Sequence, residues 1–386
     1  MDPVRVYLDH KDYGNIAKGL RGDPHHERDV GQYRTLCELV RGGRLRCYFS
    51  AVHVVEAIRS SDDAYLAVYS EVIDDLTGGH CLIFRHELER REVEHFIASE
   101  LGRPARLRQP DLAFGRGFEA FLDPTARLSE MFEDFASETG KSAAGRSGEG
   151  SLNRKQRRAL AARQGKSRAK PWVLDPAETA ELPAPVAQML RNPSFVKQLA
   201  TGSPEVRVRL VRELIHGAMS FSSILPYYKK LMPEFGEIGT AVDDSARRLM
   251  QAIHDQRGAK DFNAARLRPQ LIATVAHDLA TKRLGDERGL SSDAVEAALI
   301  AKELRGILYW EAALLLYLTY LTTNTGASTR ALQESDLRDI FHLSYAPYVD
   351  YLVTDRYFAR TIAPSLSARF PNNRILRNLS ELCDAL

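Results

Sequence analysis

The first hundred residues alternate three times between a short apolar run and a stretch with helical spacing. Val4-Arg5-Val6-Tyr7-Leu8-Asp9 reads as a strand that ends in an acid. Leu45-Arg46-Cys47-Tyr48-Phe49 and Cys81-Leu82-Ile83-Phe84 read as a second and a third. A polar loop containing Gly14, Gly19, Gly22 and Pro24 is expected after the first strand, and helices over about 28–41, 51–76 and 86–101. Gly42-Gly43 and Gly78-Gly79 would stop the first two helices, and Ser50 is placed to cap the second. Strands separated by helices pair in parallel, with the helices as crossovers. The segment therefore restricts the chain to an α/β fold around a parallel sheet.

That alternation then stops. Residues 137–186 are rich in Gly, Ser, Ala, Arg and Pro without apolar periodicity, the composition of a basic flexible linker. Between Lys141 and Lys170 ten Lys or Arg residues face one acid, Glu149, which leaves 43 basic against 50 acidic side chains elsewhere. A strongly cationic segment on a mildly acidic body is expected to hold a polyanion by counterion release, and nucleic acid is the commonest one. Arg154, Lys155, Arg157, Arg158, Arg163, Lys166, Arg168 and Lys170 are the candidate phosphate contacts, without base readout, and Trp172 is placed to stack on a base. A solvated linker is the plainer reading of the same run.

From about 187 to 286 the pattern is helical, broken at Pro193, Pro204, Pro226, Pro233 and Pro269. Helices are expected again over about 292–305, 308–323 and 333–346, and strand character returns only at Tyr351-Leu352-Val353. The organisation this implies is a discontinuous lobe, 1–101 plus 290–386. Between its halves lie a helical connection at 102–136, the linker at 137–186 and a helical insertion at 187–289 that could serve a protein partner or a homodimer contact.

Several classes are excluded or disfavoured. No run reaches the ~20 apolar residues of a membrane helix; the best stretch, 307–323, carries Glu311. The N-terminus lacks signal-peptide features, and Cys37, Cys47, Cys81 and Cys383 have neither CxxC nor zinc spacing, so a cytoplasmic protein with no membrane partner is expected. GxxxxGK[ST], a strand-to-helix GxGxxG and GxSxG are absent. His254-Asp255 and His277-Asp278, with His216 upstream, would suit an HD-type phosphohydrolase, although their spacing fits poorly.

The acids carry the stronger signal. Asp9 ends the first strand, and Glu56 lies in the first turns of the helix after the second. Asp336 and Asp339 share a helix face, and Asp355 follows the last strand. The ligand crevice of an open parallel sheet lies beyond the carboxyl ends of its strands, so these acids should converge there. Two carboxylates ~5 Å apart at an effective dielectric of ~20 disfavour each other by about 3 kcal/mol. A divalent cation removes that cost, and a thiol-free oxygen set suits Mg²⁺ or Mn²⁺, ions that activate water for phosphodiester cleavage.

Val6-Tyr7-Leu8-Asp9, Ser50-Ala51-Val52-His53-Val54-Val55-Glu56, Asp339-Ile340-Phe341-His342 and Tyr348-Val349-Asp350-Tyr351-Leu352-Val353-Thr354-Asp355 together resemble the PIN-like nuclease superfamily. The resemblance covers about half the chain, and its most specific piece is the helix Asp followed by a strand ending Val-Thr-Asp. It implies a three-layer α/β/α sandwich, here interrupted by a large helical insertion, and a metal-dependent nuclease. Asp9, Glu56, Asp339 and Asp355 would hold Mg²⁺ or Mn²⁺, and the Thr354 hydroxyl would orient Asp9. RNA is the implied substrate, single-stranded DNA the alternative, and a toxin or defence effector an implied role. Asp336 competes with Asp339 as third acid, and Glu92 or Asp12 could join the group. A catalytically silent nucleic-acid-binding or scaffold protein on the same lobe is the alternative reading.

Overall fold

Val6, Tyr7 and Leu8 are each fully buried. Successive side chains of a strand point to opposite faces, so the first strand must be covered on both sides and belongs at the centre of a sheet. Each such side chain contributes roughly 1.5–3 kcal/mol relative to exposure.

The computed structural model describes residues 2–102, 109–117, 188–189, 191–201, 266–282, 291–325 and 335–386, with 206, 210, 220–223 and 225. Its strands are β1 (Val4–Tyr7), β2 (Leu45–Tyr48), β3 (His80–Leu82), β4 (Phe114–Arg116), β5 (Tyr351–Val353) and β6 (Arg374–Leu376). Helices α1 (His10–Leu20), α2 (Glu27–Arg41), α3 (Ala51–Ile58), α4 (Asp63–Thr77) and α5 (Arg85–Glu100) come from the N-terminal part. They are followed by α6 (Pro193–Thr201), α7 (Arg268–Lys282), α8 (Ser292–Ala301), α9 (Leu308–Thr325), α10 (Ser335–Leu343), α11 (Ala363–Arg369) and α12 (Leu379–Ala385). Among these described residues no helix is long and apolar enough to cross a membrane.

The fold is α/β and mostly helical, around a four-stranded parallel sheet in the order β2-β1-β5-β6. β1 pairs with β5 from the far end of the chain, Val6 opposite Tyr351 and Tyr7 opposite Leu352. Asp350 locks that register: its carboxylate accepts from the Arg5 N–H at 2.7 Å, and its own N–H donates to the Arg5 carbonyl at 2.9 Å. β3 and β4 form an antiparallel pair, tied to the end of β2 by a parallel bridge between Phe49 and Cys81.

Several expectations change here. The polar loop after β1 is the helix α1: Tyr13, Ile16 and Ala17 form its buried stripe, and Asp9 caps it. Its glycines mark close approaches rather than a loop. A Cβ on Gly14 would sit 2.9 Å from the Tyr65 hydroxyl, and one on Gly19 2.6 Å from the His26 carbonyl oxygen. The single helix expected over 51–76 is two, because Asp62 accepts from the Tyr65 N–H at 2.8 Å and starts α4. β4 and β6 are strands of three residues with no alternation to betray them.

Met1–Phe121 and Ser220–Leu386 form one compact unit, and Leu122–Met219 a second, whose described helix is α6. The first unit is thus wider than 1–101 plus 290–386. Phe221 packs edge-on to Phe49, and Asp74 accepts from the Phe221 and Ser222 N–H groups. Ile272, Val275, Ala276 and Leu279 of α7 share a core with Val93, Phe96 and Ile97 of α5 and Val295 and Leu299 of α8.

Glu92 of α5 is fully buried at the start of α9. It accepts from the Leu308 N–H at 2.8 Å, the Tyr309 N–H at 3.3 Å and the Tyr348 hydroxyl at 2.7 Å. It therefore caps α9 from a neighbouring helix and does not join the acids beyond the sheet. Burial pushes its carboxyl up to about 8 despite those donors. Between the ordinary carboxylate range, about 4.3, and about 8, the folded chain keeps a proton that the unfolded chain releases. Its share of stability is complete at low pH and falls as pH rises through that window, by up to about 1.4 kcal/mol per unit. Denaturant unfolding from about pH 5 to 9 is expected to show this fall in the wild type relative to Glu92→Gln; parallel curves would contradict it.

Candidate active site at the carboxyl edge of the sheet

Asp9 and Asp355 stand just beyond the carboxyl ends of the neighbouring strands β1 and β5. Continuing the β1–β5 register sets Asp9 opposite Thr354. Each acid also has a local task. The Asp9 carboxylate accepts from the Lys11 N–H at 3.3 Å as the cap of α1, and that of Asp355 accepts from the Phe358 N–H at 2.9 Å. α3 carries Glu56, α10 carries Asp339 and His342, and the two helices pack together. Burial first, then the charges of Asp9, Asp355 and Glu56, lifts the Asp339 carboxyl to about 8, with His342 opposing. The charges of the other three sequence-predicted acids therefore all reach Asp339 at this edge. Asp336 is placed otherwise: it is buried in the core, where the Tyr320 hydroxyl donates to it at 2.6 Å.

Glu56 is held by histidines. Its Oε2 lies 3.5 Å from His10 Nδ1 and 3.6 Å from His342 Nε2. Burial alone would raise its pKa, but His342, followed by His10 and His53, outweighs burial and brings it to about 2. His342 is raised in turn: burial works against its charged form, and Glu56, with Asp9 and Asp339, overcomes that. His10 is lowered, chiefly by burial. Arg338, with a buried Nε that makes no hydrogen bond, adds positive charge beside His10.

A buried polar chain fixes His342 from behind. Its Nδ1 is 2.5 Å from the Tyr7 hydroxyl, which is 2.6 Å from Ser50 Oγ. The Ser50 N–H donates to His53 Nδ1 at 3.0 Å, closing the capping box of α3, and His53 Nε2–H donates to the Leu8 carbonyl at 2.8 Å. His53 is therefore the Nε2–H tautomer, a structural residue, and burial first, then His342, keeps it neutral. The chain can run either way through Tyr7 and Ser50, so it satisfies His342 whether or not Nδ1 carries a proton.

The Thr354 hydroxyl departs from expectation. It is buried without a hydrogen-bond partner, so it does not orient Asp9 in this arrangement. Asp12, next to Asp9, likewise has a buried Oδ2 without a partner, and burial, then Asp9, raises its pKa well above the usual range. Among the described residues no three carboxyl, imidazole or thiol side chains are grouped closely enough to hold a metal ion as they stand. The donor chemistry nonetheless suits a hard cation: oxygen donors, no thiol, and one carboxyl whose pKa burial and then its acidic neighbours raise.

The basic residues 154–170, Trp172, His216, His254 and Asp255 lie outside the described residues. His277 is 65% exposed and pairs with Glu296 at 2.9 Å on the surface. Sequence reasoning passed over Tyr7, Ser50 and His10 as site residues. The available signal was position, since each sits at or just past the carboxyl end of β1 or β2. The chain matches no protein-family model, no curated protein and no solved structure.

Tyr7→Phe removes the hydroxyl that joins Ser50 to His342 and is expected to destabilise the fold by about 1–3 kcal/mol. Ser50→Ala added to it should cost less than Ser50→Ala alone, because the two share one interaction. Additive losses in denaturant unfolding would show that the chain is not a unit.

Proposed function

We propose that the protein is a metal-dependent nuclease of the PIN-like type that cuts RNA by phosphodiester hydrolysis. The observation that carries this reading is the gathering of Asp9, Glu56, Asp339 and Asp355 from both ends of the chain at one sheet edge, where burial and the neighbouring acids push the Asp339 carboxyl up to about 8. The strand order supports it, with β3 beside β2, then β1, β5 and β6, and the two central strands each end at an acid. Such an arrangement costs stability, and a fold retains it where the charge has a use.

Asp9, Asp339 and Asp355 would hold Mg²⁺ or Mn²⁺, with Glu56 at the flank, and the ion would supply an activated water and positive charge at the scissile phosphate. Asp339 gives up its proton when the site loads, so affinity for the ion rises as pH approaches about 8. Glu56 stays ionised at neutral pH through its histidines. Tyr7 and Ser50 hold His342 in place, so the carboxylate on α3 keeps its orientation.

One observation favours a second reading, a nucleic-acid-binding protein that does not cut. Glu56 is already engaged by His10 and His342, and no ready-made ligand trio is present among the described residues. Cleavage separates the two. In Mn²⁺ or Mg²⁺ the wild type is expected to cut end-labelled single-stranded RNA, with no cutting in EDTA. Asp9→Asn and Asp339→Asn should lose at least about 100-fold in rate while remaining folded. Cutting by both variants at the wild-type rate would overturn the site, and RNA binding without cutting would select the second reading. Mn²⁺ should also raise the Tm of the wild type more than that of Asp339→Asn, a readout independent of activity.

A further inference from the structure

We infer that Arg356, Arg360 and Arg377 form a phosphate-holding site at the carboxyl ends of β5 and β6, which grips the backbone of single-stranded RNA beside the acids. The inference deepens the reading above and rests on it for the identity of the polyanion.

Position is the first argument. Arg356 directly follows Asp355, and Arg377 directly follows β6. The two strands are neighbours at that point, since the Thr354 N–H donates to the Leu376 carbonyl at 2.9 Å. Both arginines therefore sit at the sheet edge where the acids gather, the edge at which open parallel sheets bind ligands. Arg360 lies one turn beyond Arg356 in a π-helical turn, Phe358–Ile362. Such turns are rare and concentrate at functional sites.

Charge is the second argument. All three side chains are exposed. Arg377 pairs with Glu381, but Arg356 and Arg360 form no side-chain ion pair or hydrogen bond among the described residues. Repulsion from Arg356 above all, with Arg377 contributing, lowers the pKa of Arg360. Arg356 and Arg360, like charges set side by side with no ion pair among the described residues, gain from the arrival of an anion. Arginine's planar fork suits phosphate.

Need is the third. The ionised carboxylates at this edge repel an incoming polyanion, and adjacent cations offset that repulsion. This site lies among the described residues and does not require the basic residues at 154–170.

The test uses the full chain and a labelled oligouridylate, with binding read by anisotropy in EDTA across about 50 to 300 mM salt. Arg356→Gln/Arg360→Gln is expected to weaken binding at least about 10-fold and to flatten the log–log salt slope by about 1.4, two contacts at ~0.7 each. Arg34→Gln, an exposed arginine on α2, serves as control and should leave both unchanged. Wild-type affinity and slope in the double variant would overturn the inference, as would a wild type that does not bind the RNA. Cleavage in Mn²⁺ separates this inference from the nuclease reading. A protein that binds through these arginines and never cuts keeps the site and loses the nuclease. A double variant that cuts with unchanged KM keeps the nuclease and loses the site.

Discussion

The parallel pairing of β1 with β5 is the contact on which the rest depends. It joins residues about 345 positions apart, and it alone brings Asp9 and Asp355 to neighbouring strand ends. Asp350 makes the register specific by engaging both backbone groups of Arg5. A one-residue slip would turn every side chain of a strand to the opposite face, and with Val6, Tyr7 and Leu8 all buried neither face tolerates it. The long excursion between the two strands is affordable because closure entropy grows slowly, by about 0.6 kcal/mol per doubling of loop length. A second unit, Leu122–Met219, can therefore sit within the chain without dissolving the sheet.

Around that pairing, buried polar groups fall into two kinds. Glu92 and Asp336 are structural: each carboxyl has its donors, and each ties together helices that the sequence separates. The edge group is different. Burial and neighbouring acids raise the Asp339 carboxyl, Glu56 leans on two histidines, and Asp12 and Thr354 retain unpartnered oxygens. Unsatisfied and mutually repelling groups collected at one strand edge are what packing alone would remove. That contrast, more than any single acid, supports the function proposed for this edge.

Much of this was legible in the sequence, for identifiable reasons. β1, β2 and β5 are legible because each is a short run of mostly apolar residues, and the acids follow from the rule that ligands bind past the carboxyl ends of parallel strands. Helix α1 was hidden because Gly14 and Gly19 resemble loop residues until the close approach of Tyr65 and His26 is seen. β4 and β6 are too short to show a period. Thr354 was given a partner that the geometry does not supply, since a motif places a hydroxyl without fixing its rotamer. Position at the strand ends points to Tyr7 and Ser50, but the bond from Tyr7 to His342, 335 positions away, leaves no local trace.

The proposed divalent-cation site would draw its acids from both ends of the chain. Crystals soaked in Mn²⁺ and measured for anomalous scattering test it most directly. A peak lying between Asp9, Asp339 and Asp355, absent from crystals of Asp9→Asn, is the expected result. An empty edge at saturating Mn²⁺, with these side chains in place, would contradict the account.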